Sequence, residues 1–233
     1  MEIFYMIFSD YWPVAVGIIA ALIFSIATSL EVNTVFTKQN LVHVGSKVPA
    51  CDAARRILDM NGLYDVQVIK IPGNLTDHYD PKKKVVALSE NVYGRATVSA
   101  IGIAAHECGH AIQHAVGYTP IRLRTMFVPV VNLFSNAWLW VFMIGMALNW
   151  MVLIEAGIIF FSTIVIFQLI TLPVEFNASK RAIDILIDTK ILYGSEIQGA
   201  RKVLNAAAMT YVSALLTSIM QLLRLVVRMN RRK

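Results

Sequence analysis

Charge is what this sequence has least of. Asp, Glu, Lys and Arg make up 15% of its 233 residues, against 57% hydrophobic. A soluble globular domain carries about 25% charged and about 45–50% apolar residues. The shortage excludes a disordered chain and argues against an ordinary water-soluble enzyme. Cysteine is scarce too: Cys51 and Cys108 are the two in the chain, too few for a disulfide framework and compatible with a reducing compartment. No internal repeat or low-complexity tract is present. Acidic residues are outnumbered by basic ones, 15 to 21, for a net charge of +6. The basic residues are spread along the flanks of apolar stretches, not gathered on one recognition element. That pattern points to anionic lipid headgroups and away from nucleic acid.

What the chain does have is long runs without charge. They comprise 20 residues from Tyr11 to Leu30, 30 from Thr125 to Ile154, 19 from Ala156 to Val174 and 21 from Val203 to Leu223. About 20 apolar residues are needed to cross the hydrocarbon core as a helix. The runs therefore predict about four transmembrane or membrane-associated helices. Asn149 and Trp150 mark a turn inside the second run, giving a hairpin of roughly 127–148 and 152–173. The expected organisation is a transmembrane helix in 1–30 and a polar α+β segment in 31–125. A membrane hairpin in 126–174, a helix in 175–205 and a basic-tailed membrane helix in 206–233 complete it.

The leader before the first run has no Lys or Arg, and the run is too long for the core of a cleavable signal peptide. An outside N-terminus places 11 basic residues of 31–125 and 5 of 173–205 in the cytoplasm, as the positive-inside rule requires. The expected location is the plasma membrane, multi-pass. The last run complicates this topology. A full crossing exports Arg224, Arg228, Arg231, Arg232 and Lys233. Thr210, Ser213, Thr217, Gln221, Arg224 and Arg228 recur at helical spacing as one polar face. The helix either crosses with that face against protein or lies at the interface; crossing is favoured.

Within the polar segment the pattern predicts a helix from Pro49 to Met60 and a strand from Val66 to Ile71. A loop from Pro72 to Pro81 and a second strand from Lys84 to Leu88 follow. Asn61-Gly62 and Pro72-Gly73-Asn74 supply the turns. Next comes Ala104-Ala105-His106-Glu107-Cys108-Gly109-His110, which contains H-E-x-x-H. Five His and seven Glu in random order give about 0.003 such matches in a chain of this length. Residues 97–116 contain no proline, and Gly117 suits a helix stop. On a helix, positions four apart share a face, so His106 and His110 can reach one metal ion with Glu107 close to its water.

Zinc in a catalytic site takes three protein ligands and leaves a fourth position open. His114, one turn beyond His110, is too far along the helix to close a site with His106. Glu155 lies inside the hairpin near its turn. Glu175 follows Leu172-Pro173-Val174, where the hairpin returns to the face from which it left, and is the better third ligand.

Four blocks resemble the YugP-type neutral zinc metallopeptidases of bacterial membranes, in the family's order. They are Leu75-Thr76-Asp77-His78-Tyr79-Asp80-Pro81, Leu88-Ser89-Glu90-Asn91-Val92-Tyr93, the stretch Ala105 to Gln113, and Leu172 to Ser179. More distantly the layout is similar to the HtpX-type membrane proteases, which also place a membrane hairpin between H-E-x-x-H and a later glutamate. The resemblance implies a mainly α membrane protein with a small α+β zincin-like catalytic part. It implies one zinc per chain held by His106, His110 and Glu175, with Glu107 as catalytic base. It also implies that the strand before the motif helix, Lys84 to Leu88, is an edge strand. The distant relatives carry an aspartate four residues after the glutamate ligand, and here that position is Ser179, which cannot supply the same charge to an imidazole. Asn177 or another residue is left to take that task.

The expected activity is zinc-assisted hydrolysis of peptide bonds in membrane or membrane-proximal proteins, at the cytoplasmic face. His78, Tyr79 and Tyr93 are candidates to stabilise the developing oxyanion, because their blocks flank the motif; His114 and Ser179 are candidates to support the site. The expected partners are a protein or peptide substrate, the lipid bilayer and a substrate-presenting membrane adaptor. Two other readings compete: a protease cleaving inside the bilayer, and a membrane scaffold that keeps a zinc site without proteolysis.

Overall fold

The structure is a computed structural model; it describes residues 2–230, with side chains from residue 12 onward. The basic end Arg231-Arg232-Lys233 and the side chains of the leader lie outside the described residues. The fold is mostly helical with one small sheet. In order, the elements are α1 (Glu2–Asn40), α2 (Ala50–Met60), β1 (Gln67–Ile71), β2 (His78–Asp80), β3 (Val85–Ser89) and α3 (Val98–Ala115). Then follow α4 (Thr119–Ala147), α5 (Met151–Asp188) and α6 (Ser195–Asn230). Among the described residues, four helices are long and apolar enough to cross a membrane: α1 from Trp12, α4, α5 and α6.

The chain forms two compact units. One gathers α1 up to Thr28, Leu123–Leu172, and α6 from Thr210. Here α4 and α5 make the expected hairpin, turning at Asn149 with φ 51°. Glycines let its arms approach: a Cβ on Gly157 would stand 2.9 Å from the Phe142 backbone, and one on Gly145 2.7 Å from the Ile154 backbone nitrogen. Phe134 stacks on Phe160 and Trp138 meets Phe161 edge-on, with ring centroids 4.4 and 4.7 Å apart. Within the polar stripe of α6, Ser213 is buried and accepts from the Thr28 hydroxyl at 3.1 Å. In a membrane helix such a hydrogen bond satisfies two hydroxyls that lipid cannot.

The other unit holds Ser29–Arg122 and Pro173–Met209. Its core begins with α2, whose buried residues Ala50, Ala53, Ala54, Ile57 and Leu58 fall on one helical face. The first N–H groups of α2 have no side-chain cap. They donate instead to backbone carbonyls of the segment before α3, Ala50 to Arg95 and Cys51 to Tyr93. Arg55 closes the other end, donating to the Leu63 carbonyl at 2.8 Å and to that of Val66.

The sheet corrects two expectations. β2 lies within the stretch read as a loop, pairing antiparallel to β3. Its three residues, His78-Tyr79-Asp80, carry no apolar alternation, so only the pairing reveals them as a strand. The sheet order is β1-β3-β2, with β1 parallel to β3. β3 is therefore the central strand and not an edge, which explains why Val86, Ala87 and Leu88 are all buried. β1 and β2 are the edges.

α3 is buried along almost its whole length, from Val98 to Gln113. Its start is tied to the end of α1, where Asn40 Oδ1 accepts from the Thr97 and Ser99 hydroxyls at 2.9 and 3.2 Å. It stops at Val116, and Gly117 follows at φ 65°, as expected. The segment 175–205, expected as one helix, is two helical pieces. α5 runs through Pro173 to Asp188 and α6 starts at Ser195. Lys190 and Gly194, at φ 51° and 47°, turn the chain between them.

Candidate metal centre

The spacing of H-E-x-x-H does on α3 what helical geometry requires. The rings of His106 and His110 lie one turn apart, with centroids 4.7 Å from each other. Glu175 arrives from α5. It can come close because α3 has no side chain at Gly109, where a Cβ would stand 2.8 Å from the Ala178 carbonyl oxygen. Backbone thus meets backbone at the site. Glu175 Oε2 lies 3.2 Å from His106 Nε2 and 3.6 Å from His110 Nε2. The three donor atoms all fall within 4.8 Å of one another.

These separations suit a tetrahedral ion. With zinc–ligand bonds of about 2.0–2.1 Å, two ligands at the tetrahedral angle stand about 3.3 Å apart. Electrostatics favours a cation there too. Burial lowers the His110 pKa, but the Glu175 carboxylate facing it and the nearby Glu107 charge outweigh that, and the balance is upward. The centre holds 2% exposed Glu175 and 8% exposed Glu107 and His110, with buried carboxylate charge that calls for a positive partner. The two imidazoles and the carboxylate fit zinc by type, distance and burial.

Around these donors lies a set of polar contacts. Ser179 Oγ sits 3.2 Å from His106 Nδ1. Gln113, fully buried, has its Oε1 3.0 Å from His110 Nδ1. The Gln113 amide donates to the Val174 carbonyl at 2.8 Å and to Asn177 Oδ1 at 3.0 Å. Arg181 Nε donates to that same Asn177 oxygen at 2.8 Å. Gln113 was not among the residues singled out from the sequence. The available signal was its position three after His110, one turn along the same face.

The remaining candidates fall in different places. Tyr79, on β2, sets its ring 5.7 Å from that of His114 in the last turn of α3. His78 is exposed and donates from Nδ1 to the Thr76 carbonyl at 2.9 Å. Tyr93 packs against the buried core. None of these four belongs to the three-donor cluster among the described residues.

The family model described as "Putative neutral zinc metallopeptidase" matches residues 14–230. The chain belongs to this family. Among curated proteins it is similar to "Putative membrane protease YugP" of Bacillus subtilis (strain 168). The two are 50% identical over 208 residues, covering 89% of this chain and 92% of that one. No solved structure matches the chain. Family membership accords with the donor set, since residues 106–110 and 175 all lie inside the matched region.

Proposed function

We propose that the protein is a zinc endopeptidase of the plasma membrane that hydrolyses peptide bonds of membrane or membrane-proximal proteins at the cytoplasmic face. The observation that carries this reading is the convergence of His106, His110 and Glu175 beside Glu107. His106 Nε2, His110 Nε2 and a Glu175 oxygen would hold the ion. When bound, zinc supplies a Lewis acid for the scissile carbonyl and brings the pKa of a water down to about 7. The chain's own part is proton handling and alignment. The Glu107 carboxylate takes the proton of the attacking water and hands it to the leaving amine nitrogen.

Tyr79 is the best supported of the three candidate oxyanion donors. Its ring lies against His114 of the motif helix, and burial pushes its phenol pKa up, so it stays a donor at neutral pH. An extended substrate would pair with the free edge of β2 by strand addition. The edge open to substrate is then that of β2, and not of the strand at Lys84 to Leu88 that was expected to lie at the edge. α3 is absent from the four helices suited to crossing a membrane; this supports cleavage outside the bilayer over cleavage within it.

The test uses the purified full-length chain in lipid nanodiscs with a tethered reporter substrate. Glu107→Gln should keep zinc and lose about 10²–10⁴-fold in cleavage rate. His106→Ala and Glu175→Ala should lose the metal. Full proteolysis by Glu107→Gln overturns the mechanism. Bound zinc without cleavage of any reporter by the wild type supports the scaffold reading instead.

A further inference from the structure

The contacts around His110 have a direction, and it can be read from groups that can donate only. A guanidinium donates and never accepts. Arg181 Nε at 2.8 Å from the Asn177 side chain therefore requires the Asn177 oxygen, not its amide, at that position. The same oxygen then accepts from Gln113, whose amide nitrogen also faces the Val174 carbonyl. A carbonyl accepts only, so the Gln113 nitrogen is fixed by two acceptors. Its oxygen is left pointing at His110 Nδ1, 3.0 Å away. An amide oxygen accepts only, so Nδ1 of His110 carries the proton. In the neutral imidazole the lone pair is then on Nε2, the atom that faces Glu175.

His106 is held differently. Its Nδ1 faces the Ser179 hydroxyl at 3.2 Å. A hydroxyl donates or accepts by rotating, so this contact is compatible with either tautomer. The Glu175 oxygen 3.2 Å from His106 Nε2 accepts only, so without an ion His106 carries a proton there and must give it up when metal binds, with the Ser179 hydroxyl able to accept from Nδ1.

We propose that Gln113 is a positioning residue that commits His110 to the Nδ1–H tautomer before any metal arrives, its amide aimed by Asn177, Arg181 and the Val174 carbonyl. Resting on the zinc reading above, it assigns this neutral amide the orienting task that a carboxylate performs beside many metal-binding histidines. Gln113 serves this by geometry alone. A carboxylate would add negative charge to a centre that already buries Glu107 and Glu175. Arg181 acts three contacts away from the imidazole, through Asn177 and Gln113.

The test is a nitrogen-15 spectrum of the imidazoles in the metal-free, full-length protein in micelles, with His110 assigned by substituting the other four histidines singly. The expected result for wild type, recorded at a pH alkaline enough to keep the ring neutral, is a single Nδ1–H form at His110. Gln113→Leu should give a mixed or Nε2–H form and weaken zinc binding about 10–100-fold in chelator competition. Gln113→Glu, which as the neutral acid keeps an acceptor opposite Nδ1 and a donor toward Val174, should recover most of that affinity. A wild-type His110 in the Nε2–H form overturns the proposal, and this result needs no variant that must fold. Unchanged zinc affinity in folded Gln113→Leu also overturns it. A wild type with the Nδ1–H form that binds no zinc leaves the tautomer assignment standing and refutes the metal reading instead.

Discussion

At Gly109 the Cβ of any other residue would meet the Ala178 backbone, 2.8 Å from its oxygen and 3.3 Å from its Cα. Neither helix has a flexible side chain there to give way, so Gly109→Ala must part α3 from α5. Overpacking of this kind costs about 1–3 kcal/mol. The expected outcome is a lower unfolding midpoint and a loss of zinc affinity, while Gly94→Ala, in open space, changes neither. Calorimetry and metal titration on the two variants check this. Asp77 presents a different single-residue case. It accepts from the Ser89 N–H at 2.7 Å and the Ser89 hydroxyl at 3.0 Å, tying the segment before β2 to the end of β3. Burial nevertheless pushes its pKa above the ordinary carboxylate value, against the lowering by Ser89. A raised carboxyl pKa in the folded state means that its contribution favours folding at low pH and is lost as pH rises through the folded pKa. Asp77→Asn keeps both contacts, with the Ser89 hydroxyl now accepting. It should raise the unfolding midpoint at pH 7, with the gain vanishing near pH 3. Equal midpoints at pH 7 would contradict this account of Asp77.

β2 shows what an element can do without a sequence signature. Three polar or aromatic residues complete the sheet, move β3 to its centre and bring Tyr79 to the end of α3. If substrate pairs with the free edge of β2, a peptide N-methylated at two amides flanking the scissile bond loses two backbone hydrogen bonds. Each is worth about 0.5–1.5 kcal/mol, so cleavage should slow by about 5–150-fold against the unmethylated peptide in competition kinetics. Equal rates would exclude strand addition. The same contrast explains what was legible in the chain. His106 and His110 were readable because four-residue spacing is a property of the helix itself, and Glu175 because a membrane hairpin must return to the face it left. The hairpin turn was marked by Asn149 in a charge-free run. β2 was not readable, since its strand character comes wholly from β3 beside it. Nor was the role of Gln113, because a glutamine at that spacing reads as helix polarity until Val174, Asn177 and Arg181 are placed around it. The break between α5 and α6 was missed because the turn depends on left-handed backbone at Lys190 as well as Gly194, and a lysine does not advertise that conformation.

For the molecule as a whole, helix length and charge together set the topology we expect. α5 and α6 have 38 and 36 residues, which at 1.5 Å per residue span about 54–57 Å. The hydrocarbon core is about 30 Å thick, so each helix has a portion to spare beyond the bilayer. The charged residues are all at one end of α5 apart from Glu155, and they include Lys180 and Arg181 within two turns of Glu175. By the positive-inside rule we expect that end, with the 16 basic residues of 31–125 and 173–205, to lie in the cytoplasm. The prediction is checked with single cysteines in a background where Cys51 and Cys108 are replaced by alanine. In intact cells an impermeant maleimide should label Asn149→Cys at the hairpin turn. It should reach Lys83→Cys and Lys190→Cys only after permeabilisation. Arg228→Cys separates the two fates of α6: labelling from outside means that the helix crosses and exports its basic end, and protection means that it stays at the inner interface. Labelling of Lys83→Cys from outside would turn the protein over. The candidate metal centre would then face the exterior, and substrates would have to be sought among exported segments instead of cytoplasmic ones.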